Sequence, residues 1–494
     1  MFEIVRVQQK TAQTMGLMRF VKTTLTAALA ASLLCVTSFI PRAEAQGIAL
    51  VRDSEIEHTI RSYVDPIFKA AGLDPRSITL YLVNDPNINA FVAEGQNLFL
   101  NTGTILRLDR PRELIGILAH ETGHIAGGHL VRSAAAIDAA TVPLIVGTLL
   151  GIAAAAGGAG EAGIGIMGGG QEIAQRSLYA FTRGQESSAD QAAVTFLDRT
   201  HQSARGLLET FQLFAGQEVL SAERMDPYIQ THPLSRERIA ALENRIAESP
   251  YADVKETPEQ IKSFFRMKAK LYGFMMRLDQ VLRKYPESDQ SIDARYARAI
   301  AHYRVPDLKL AVKEVDGLIQ DEPNNPYFHE LKGQILFENG YAAQAVPEYA
   351  DSVRLLPDEP LLGVSYGQAL LATERPADVK PAIAVLERAL RDDPTNALGW
   401  RQLAIGYARD NRIAMAELAT AERLALGGGR GMMEAAQHAV VAACGLEKGS
   451  PSWQRAMDIV DAARNNGGRG RSNGNPDQPP PPSDSLRCDG VSGG

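Results

Sequence analysis

The residues spaced for chemistry are His120-Glu121-Thr122-Gly123-His124. In an α-helix, residues four apart lie one turn apart on one face, so both imidazoles can reach a single metal ion. Glu121, between them, points near the remaining coordination position, where it can take a proton from a water. Leu114, Ile117 and Leu118 precede the pentad at helical spacing, and small residues follow it. The bland reading is a buried helix with two incidental histidines. A catalytic zinc site needs a third ligand, and the segment Thr182–Asp190 offers one. Glu186 and Asp190 stand one turn apart on one helical face. That spacing lets Glu186 bind the metal while Asp190 accepts a hydrogen bond from the far nitrogen of a ligand histidine, fixing its tautomer.

These groups must be held by a domain over residues 46–255. Ser54–Ala71 reads as a helix, with Ile56, Ile60, Tyr63, Val64 and Ile67 on one face and Asp53 or Ser54 as its cap. Ile78–Val83 reads as a strand. Asn89–Ala93 and Asn97–Asn101 read as a hairpin around Glu94-Gly95-Gln96. Three short strands before the metal helix resemble the sheet floor of a zincin, where an edge strand can bind an extended peptide by backbone pairing. Asn87 and Asn89 suit plain turn chemistry at least as well as substrate contact. Residues 141–170 run from an apolar stretch into a glycine-rich one. Two readings compete, a lid over the cleft or a flap that touches a membrane or an unfolded substrate, with a membrane-spanning helix as a further alternative.

His120-Glu121-Thr122-Gly123-His124, with His129 five residues on, and Arg183-x-x-Glu186-x-x-Ala189-Asp190 resemble the M48 zinc metallopeptidases. Asn89-Ala90-Phe91 and Thr231-His232-Pro233 extend the likeness over most of residues 50–245. The resemblance implies one zinc ion per chain, held by His120, His124 and Glu186, with Glu121 as general base. It implies for His232 a place as a removable fourth ligand or as a stabiliser of the oxyanion; a loop histidine that orders its turn is the alternative. His129 is left between a supporting contact and plain packing. Arg236–Ala247 reads as the helix after His232.

Composition bounds the rest. A chain of 494 residues with 45% hydrophobic and 22% charged residues exceeds one ordinary core. Its net charge of -7 argues against a nucleic-acid partner. Residues 1–45 read as a signal peptide: a basic start, an apolar run from Thr23 to Ile40, and Ala43-Glu44-Ala45 before the cut. Its removal takes five basic and two acidic residues and leaves a net charge of -10. Export implies an oxidising compartment. Cys35 leaves with the signal, and Cys444 and Cys488 remain to form one disulfide.

Pro286, Pro323, Pro357 and Pro394 recur at the period of helix-turn-helix solenoids. Gly333, Leu336, Gly340, Ala345, Tyr349 and Pro357 fit a tetratricopeptide repeat, and Trp400, Leu403, Ala404, Tyr407 and Ala416 fit a second. Repeats are expected over 256–428, two C-terminal helices over 429–464, and a Pro/Gly-rich disordered tail over 465–494. The fold class is therefore an α+β zincin-type metallopeptidase domain, mostly helical with a small β-sheet, followed by an all-α tetratricopeptide-repeat solenoid. The combination resembles the BepA-like β-barrel assembly-enhancing proteases of the Gram-negative periplasm. That likeness implies a periplasmic zinc endopeptidase, associated with the outer membrane. It would degrade unfolded or misassembled outer-membrane proteins beside the barrel-assembly machinery, with peripheral membrane contact. The alternative is a chaperone or assembly adaptor that works through its repeats and keeps a latent metal site.

Overall fold

Strand pairing begins earlier than the sequence pattern suggests. The computed structural model describes residues 3–7, 48–93, 96–133, 181–214 and 227–468. Five strands are present among them: β1 (Glu3–Val7), β2 (Ile48–Arg52), β3 (Thr79–Val83), β4 (Ala90–Ala93) and β5 (Asn97–Asn101). Their order across the sheet is β1-β2-β3-β5-β4. β3 and β5 run parallel, Thr79 beside Asn97 through Val83 beside Asn101. β4 and β5 form the antiparallel hairpin the sequence predicts, Ala90 opposite Leu100, which leaves β4 at the edge. β1 and β2 were not legible. Five residues of the segment set aside as 1–45, Glu3–Val7, pair antiparallel with β2; cleavage at Ala45 would leave β2 as that edge.

Helix α1 (Ser54–Ala70) starts at Asp53, whose Oδ1 accepts from Ile56 N at 3.0 Å, while Glu57 Oε1 accepts from Asp53 N at 3.0 Å. A short α2 (Thr102–Arg107) leads into α3 (Pro111–Ala126), the helix of the pentad. Pro111 occupies its first turn, and Glu113 Oε2 accepts from Arg110 N at 2.7 Å. Leu114, Ile117 and Leu118 are buried, as their spacing predicts. Helix α4 spans 181–199, followed by α5 (Arg205–Leu213), α6 (Pro227–Thr231) and α7 (Arg236–Ala247). Two glycines set the spacing around α3. A Cβ on Gly116 would lie 2.5 Å from Leu207 N of α5, and one on Gly123 would lie 2.8 Å from Ala189 O of α4. Only glycine lets these backbones approach so closely.

The second part is all helical: α8 (Pro258–Met275), α9 (Leu278–Lys284), α10 (Ile292–Arg304), α11 (Leu308–Asp321), α12 (Pro326–Glu338), α13 (Ala342–Leu355), α14 (Pro360–Ala372), α15 (Pro376–Asp392), α16 (Ala397–Arg409), α17 (Ile413–Ala425), α18 (Gly429–Gly445) and α19 (Pro451–Gly468). Successive hairpins begin at Ile292, Pro326, Pro360 and Ala397, so the proline period is a helix-pair period. A Cβ on Gly333 would meet the Tyr349 ring at 3.0 Å, so the small residue and the aromatic one interlock across α12 and α13. Trp400, Leu403 and Tyr407 share one core cluster with Leu386, Leu390 and Ala419.

The chain divides into one compact unit of Phe2–Arg52 with Ile60–Ile261, and another of Asp53–Thr59 with Lys262–Gly494. The sequence places a break near residue 255; this division lies close to it and puts the first turn of α1 with the later helices. Lys270 Nζ of α8 pairs with that turn, 2.9 Å from Asp53 Oδ2 and 3.3 Å from Glu55 Oε2. The last helix also runs to Gly468, four residues into the expected tail, because Asn465 and Asn466 continue its final turn. Residues 141–170 and the tail beyond 468 lie outside the described residues. Among the described residues, no helix is long and apolar enough to cross a membrane.

Candidate metal centre

Helix α3 places His120 and His124 one turn apart, with their Nε2 atoms 3.1 Å from each other. Close packing at Gly123 brings α4 beside them. Glu186 Oε2 lies 3.3 Å from His120 Nε2, and its Oε1 lies 3.5 Å from His124 Nε2. His232, just past α6, completes the group: its Nδ1 is 3.4 Å from His120 Nε2 and 3.2 Å from Glu186 Oε2. All four residues offer ligand atoms within 4.8 Å of one another, and three of the four are buried.

These distances test whether zinc fits. Tetrahedral bonds of ~2.0–2.1 Å put ligand atoms ~3.3 Å apart. The separations above scatter around that value. Ring nitrogens and carboxylate oxygens so close also need a shared positive charge. A proton can serve two of them, and a divalent cation can serve all. The donor set of imidazoles and one carboxylate is one that zinc accepts.

Charge around the cluster is arranged for this. His120 Nδ1 stands 2.9 Å from Asp190 Oδ1. A carboxylate only accepts, so Nδ1 carries a proton towards Asp190, and Nε2 is the nitrogen that faces the cluster. Burial opposes a charge on His120, but hydrogen bonds to Asp190 and Glu186 outweigh it and raise its pKa to about 10. Burial, then the charge of His120, pulls His124 down to about 2, so His124 is a neutral donor. Burial likewise opposes the Glu186 carboxylate, yet hydrogen bonds from His120 and His232 hold it far below the usual range. His129 packs beside His124, Nδ1 to Nδ1 at 3.0 Å, and so orients that ring from behind.

Glu121 is fully buried, and neither of its carboxylate oxygens makes a hydrogen bond among the described residues. Burial pushes its pKa up, with the charges of His232 and His120 opposing. Its Oε1 lies 3.3 Å from His232 Nε2. That same nitrogen is 3.2 Å from Ala90 O of β4, so His232 bridges the cluster and the edge strand. Asn89 serves structure: its N–H donates to Thr104 Oγ1 at 2.9 Å, and its Oδ1 accepts from Thr231 Oγ1 at 3.4 Å. Asn87 N donates to Asp85 Oδ1 at 2.8 Å within the turn.

Arg238 escaped the sequence reading. Its guanidinium grips Asp190 with Nε and Nη2 at 2.8 and 2.9 Å, reaches Glu186 Oε2 from Nη1 at 3.1 Å, and donates to Pro233 O at 2.7 Å. It is buried, with its carbon 5.0 Å above the Phe211 ring. Nothing in the string Arg236-Glu237-Arg238 marks the second arginine as internal. Its distance of four residues from Leu234 and from Leu242, both buried, is the one signal that could have. Tyr228 was also missed; its buried ring lies 4.9 Å from that of His232.

Residues 52–246 match the model of peptidase family M48. Beta-barrel assembly-enhancing protease from Yersinia pestis is 27% identical over 357 residues, covering 70% of this chain and 71% of that protein. The protein of the same name from Escherichia coli K12 is 25% identical over 355 residues, with the same coverage. Metalloprotease YcaL from Escherichia coli K12 is 28% identical over 174 residues, 35% of this chain and 63% of that one. The crystal structure of MamA aligns with 35% of this chain at 17% identity and a TM-score of 0.26, too weak a likeness to bear on the fold.

Proposed function

With residues 52–246 forming a domain of peptidase family M48, we propose that this chain is a periplasmic zinc endopeptidase that degrades unfolded or misassembled outer-membrane proteins. The observation that carries the reading is the convergence of His120, His124 and Glu186 at 3.1–3.5 Å beside a buried carboxylate, Glu121, that makes no hydrogen bond among the described residues. His120, His124 and Glu186 are the proposed protein ligands. When bound there, zinc supplies the Lewis acidity that brings a water's pKa towards neutrality and polarises a carbonyl. Glu121 takes the proton of the attacking water on a carboxylate oxygen and returns it to the departing amine. Asp190 and Arg238 keep the His120 ring and the Glu186 carboxylate aimed. β4, the edge strand, pairs with the substrate backbone as an added strand, which suits an unfolded polypeptide better than a folded one.

His232 stands where a fourth ligand closes the site, whereas a catalytic site keeps that position open. We read it as a latch: with its Nε2 facing Ala90 O, a substrate strand arriving on β4 competes for the contact that holds the ring in place. His232→Ala should then raise basal cleavage of an unfolded polypeptide; unchanged or lost activity counts against the latch. The helices over 256–428 are proposed as tetratricopeptide repeats that recruit substrate or the barrel-assembly machinery. The relatives named for β-barrel assembly support this reading. The signal segment 1–45 and peripheral membrane contact belong to the same proposal. The Glu121→Gln variant tests the function: it should bind zinc and fail to cleave.

A further inference from the structure

In the sheet beside the candidate metal centre, side chains alternate between two faces. On one face Leu82, Leu100 and Ala90 stand in register across β3, β5 and β4, all buried. The other face carries three rings in register, Tyr81 beside Phe99 and Phe99 opposite Phe91, each half-buried. Tyr81 and Phe99 stack with centroids 4.8 Å apart and planes at 17°, and Phe99 and Phe91 stack at 4.9 Å and 6°. That interval is the spacing of neighbouring strands, ~4.7–4.9 Å. The row therefore advances one strand at a time and ends on Phe91, in the edge strand among those described.

The backbone of β4 is turned to receive a further strand. Asn101 N donates to Asn89 O at 2.9 Å, and in an antiparallel pair this orientation repeats every second residue. Phe91 thus directs its N–H and C=O to Phe99, while Ala90 and Val92 direct theirs away from β5. His232 Nε2, 3.2 Å from Ala90 O, stands on that outer side. A polypeptide strand added there bonds to Ala90 and Val92. Its residue beside Phe91 has its side chain on the ring-bearing face, whichever way the strand runs. If the strands are antiparallel, the two also form a pair without hydrogen bonds, in which side chains approach most closely.

We propose that Phe91 is a specificity-determining residue: it selects, in the strand bound to β4, an aromatic or β-branched residue that extends the Tyr81–Phe99–Phe91 row. The inference rests on the peptidase reading and on strand addition at β4. Glu121 Oε1 and Ala90 O lie 3.3 and 3.2 Å from His232 Nε2, which places the bond to be cut near Ala90. One strand step of ~3.4 Å separates Ala90 from Phe91, so the selected residue lies within about two positions of that bond.

The test digests an unfolded polypeptide with the zinc-loaded full chain and reads the residues around each cut by mass spectrometry. The parent chain should show aromatic and β-branched residues enriched about fivefold over alanine at one position within about two of the cut. Phe91→Lys should abolish that enrichment and favour Asp and Glu at the same position, because opposite charges pair across strands. Phe91→Thr, a residue that suits a strand, should reduce the aromatic enrichment, and it decides the matter if Phe91→Lys fails to fold by circular dichroism. Cutting by the parent without such an enrichment, or the same enrichment in the folded variants, overturns the role of Phe91 and leaves the peptidase reading in place. No cutting at all by the zinc-loaded parent overturns the peptidase reading and this inference with it.

Discussion

Glu121 is buried, with both oxygens unbonded among the described residues, an expensive arrangement for a carboxylate unless a reacting group comes to it. That is the mark of a base held ready, and loss of such a base costs ~10²–10⁴ in rate. Arg238 shows what the sequence hides at this scale. It is the counter-charge to Asp190 and Glu186 together. Arg238→Ala leaves two buried carboxylates facing His120 without their guanidinium, and should weaken zinc binding ~10–100-fold. Chelator competition would show it. Arg238→Lys should not restore the affinity, because a point charge cannot repeat the fork on Asp190. Full affinity in either variant would contradict this role. The ligand spacing was legible because helical periodicity converts sequence distance directly into geometry. Arg238 was not, because its contacts are with residues about fifty positions away.

At the level of elements, the site depends on how closely α3 and α4 approach. Gly123 is the contact point, and the atoms a Cβ would strike there are Ala189 O at 2.8 Å and Ala189 Cα at 2.9 Å. Backbone atoms cannot swing aside as a side chain can. Gly123→Ala should therefore cost ~1–3 kcal/mol of stability by overpacking, and should lower zinc content by moving Glu186 away from the histidines. A variant as stable and as metal-loaded as the parent would remove Gly123 from the account. The repeat unit has its own buried anchor. Lys270 Nζ faces Asp53, Glu55 and Glu330 at 2.9, 3.3 and 3.6 Å, all of them buried. The Tyr296 hydroxyl donates to Glu55 Oε2 at 2.7 Å, and Ser54 Oγ donates to Glu330 Oε2 at 3.0 Å. Lys270→Met removes the cation that three buried carboxylates share and should destabilise the unit by ~3–5 kcal/mol, seen as a lower calorimetric Tm. An unchanged Tm would contradict it. The α-helices and the β4–β5 hairpin were readable from periodicity and turn residues. The assignment of Asp53–Thr59 to the repeat unit was not, since a capping aspartate looks the same whether or not a lysine lies above it.

Over the whole molecule, the unit with most of residues 52–246 matches peptidase family M48 and the other is a series of helical hairpins; the proposed function gives polypeptides two surfaces, the β4 edge and the hairpins. The competing account makes the repeats the working part and leaves the metal site idle. The central claim separates the two: Glu121 is the base of a zinc site built by His120, His124 and Glu186. Its most direct test is cleavage of an unfolded outer-membrane barrel polypeptide by Glu121→Gln, with zinc content checked in the same sample. The account predicts one zinc ion per chain and cleavage at least ~10²-fold slower than with the parent chain; cleavage at the parent rate by the zinc-loaded variant would contradict it.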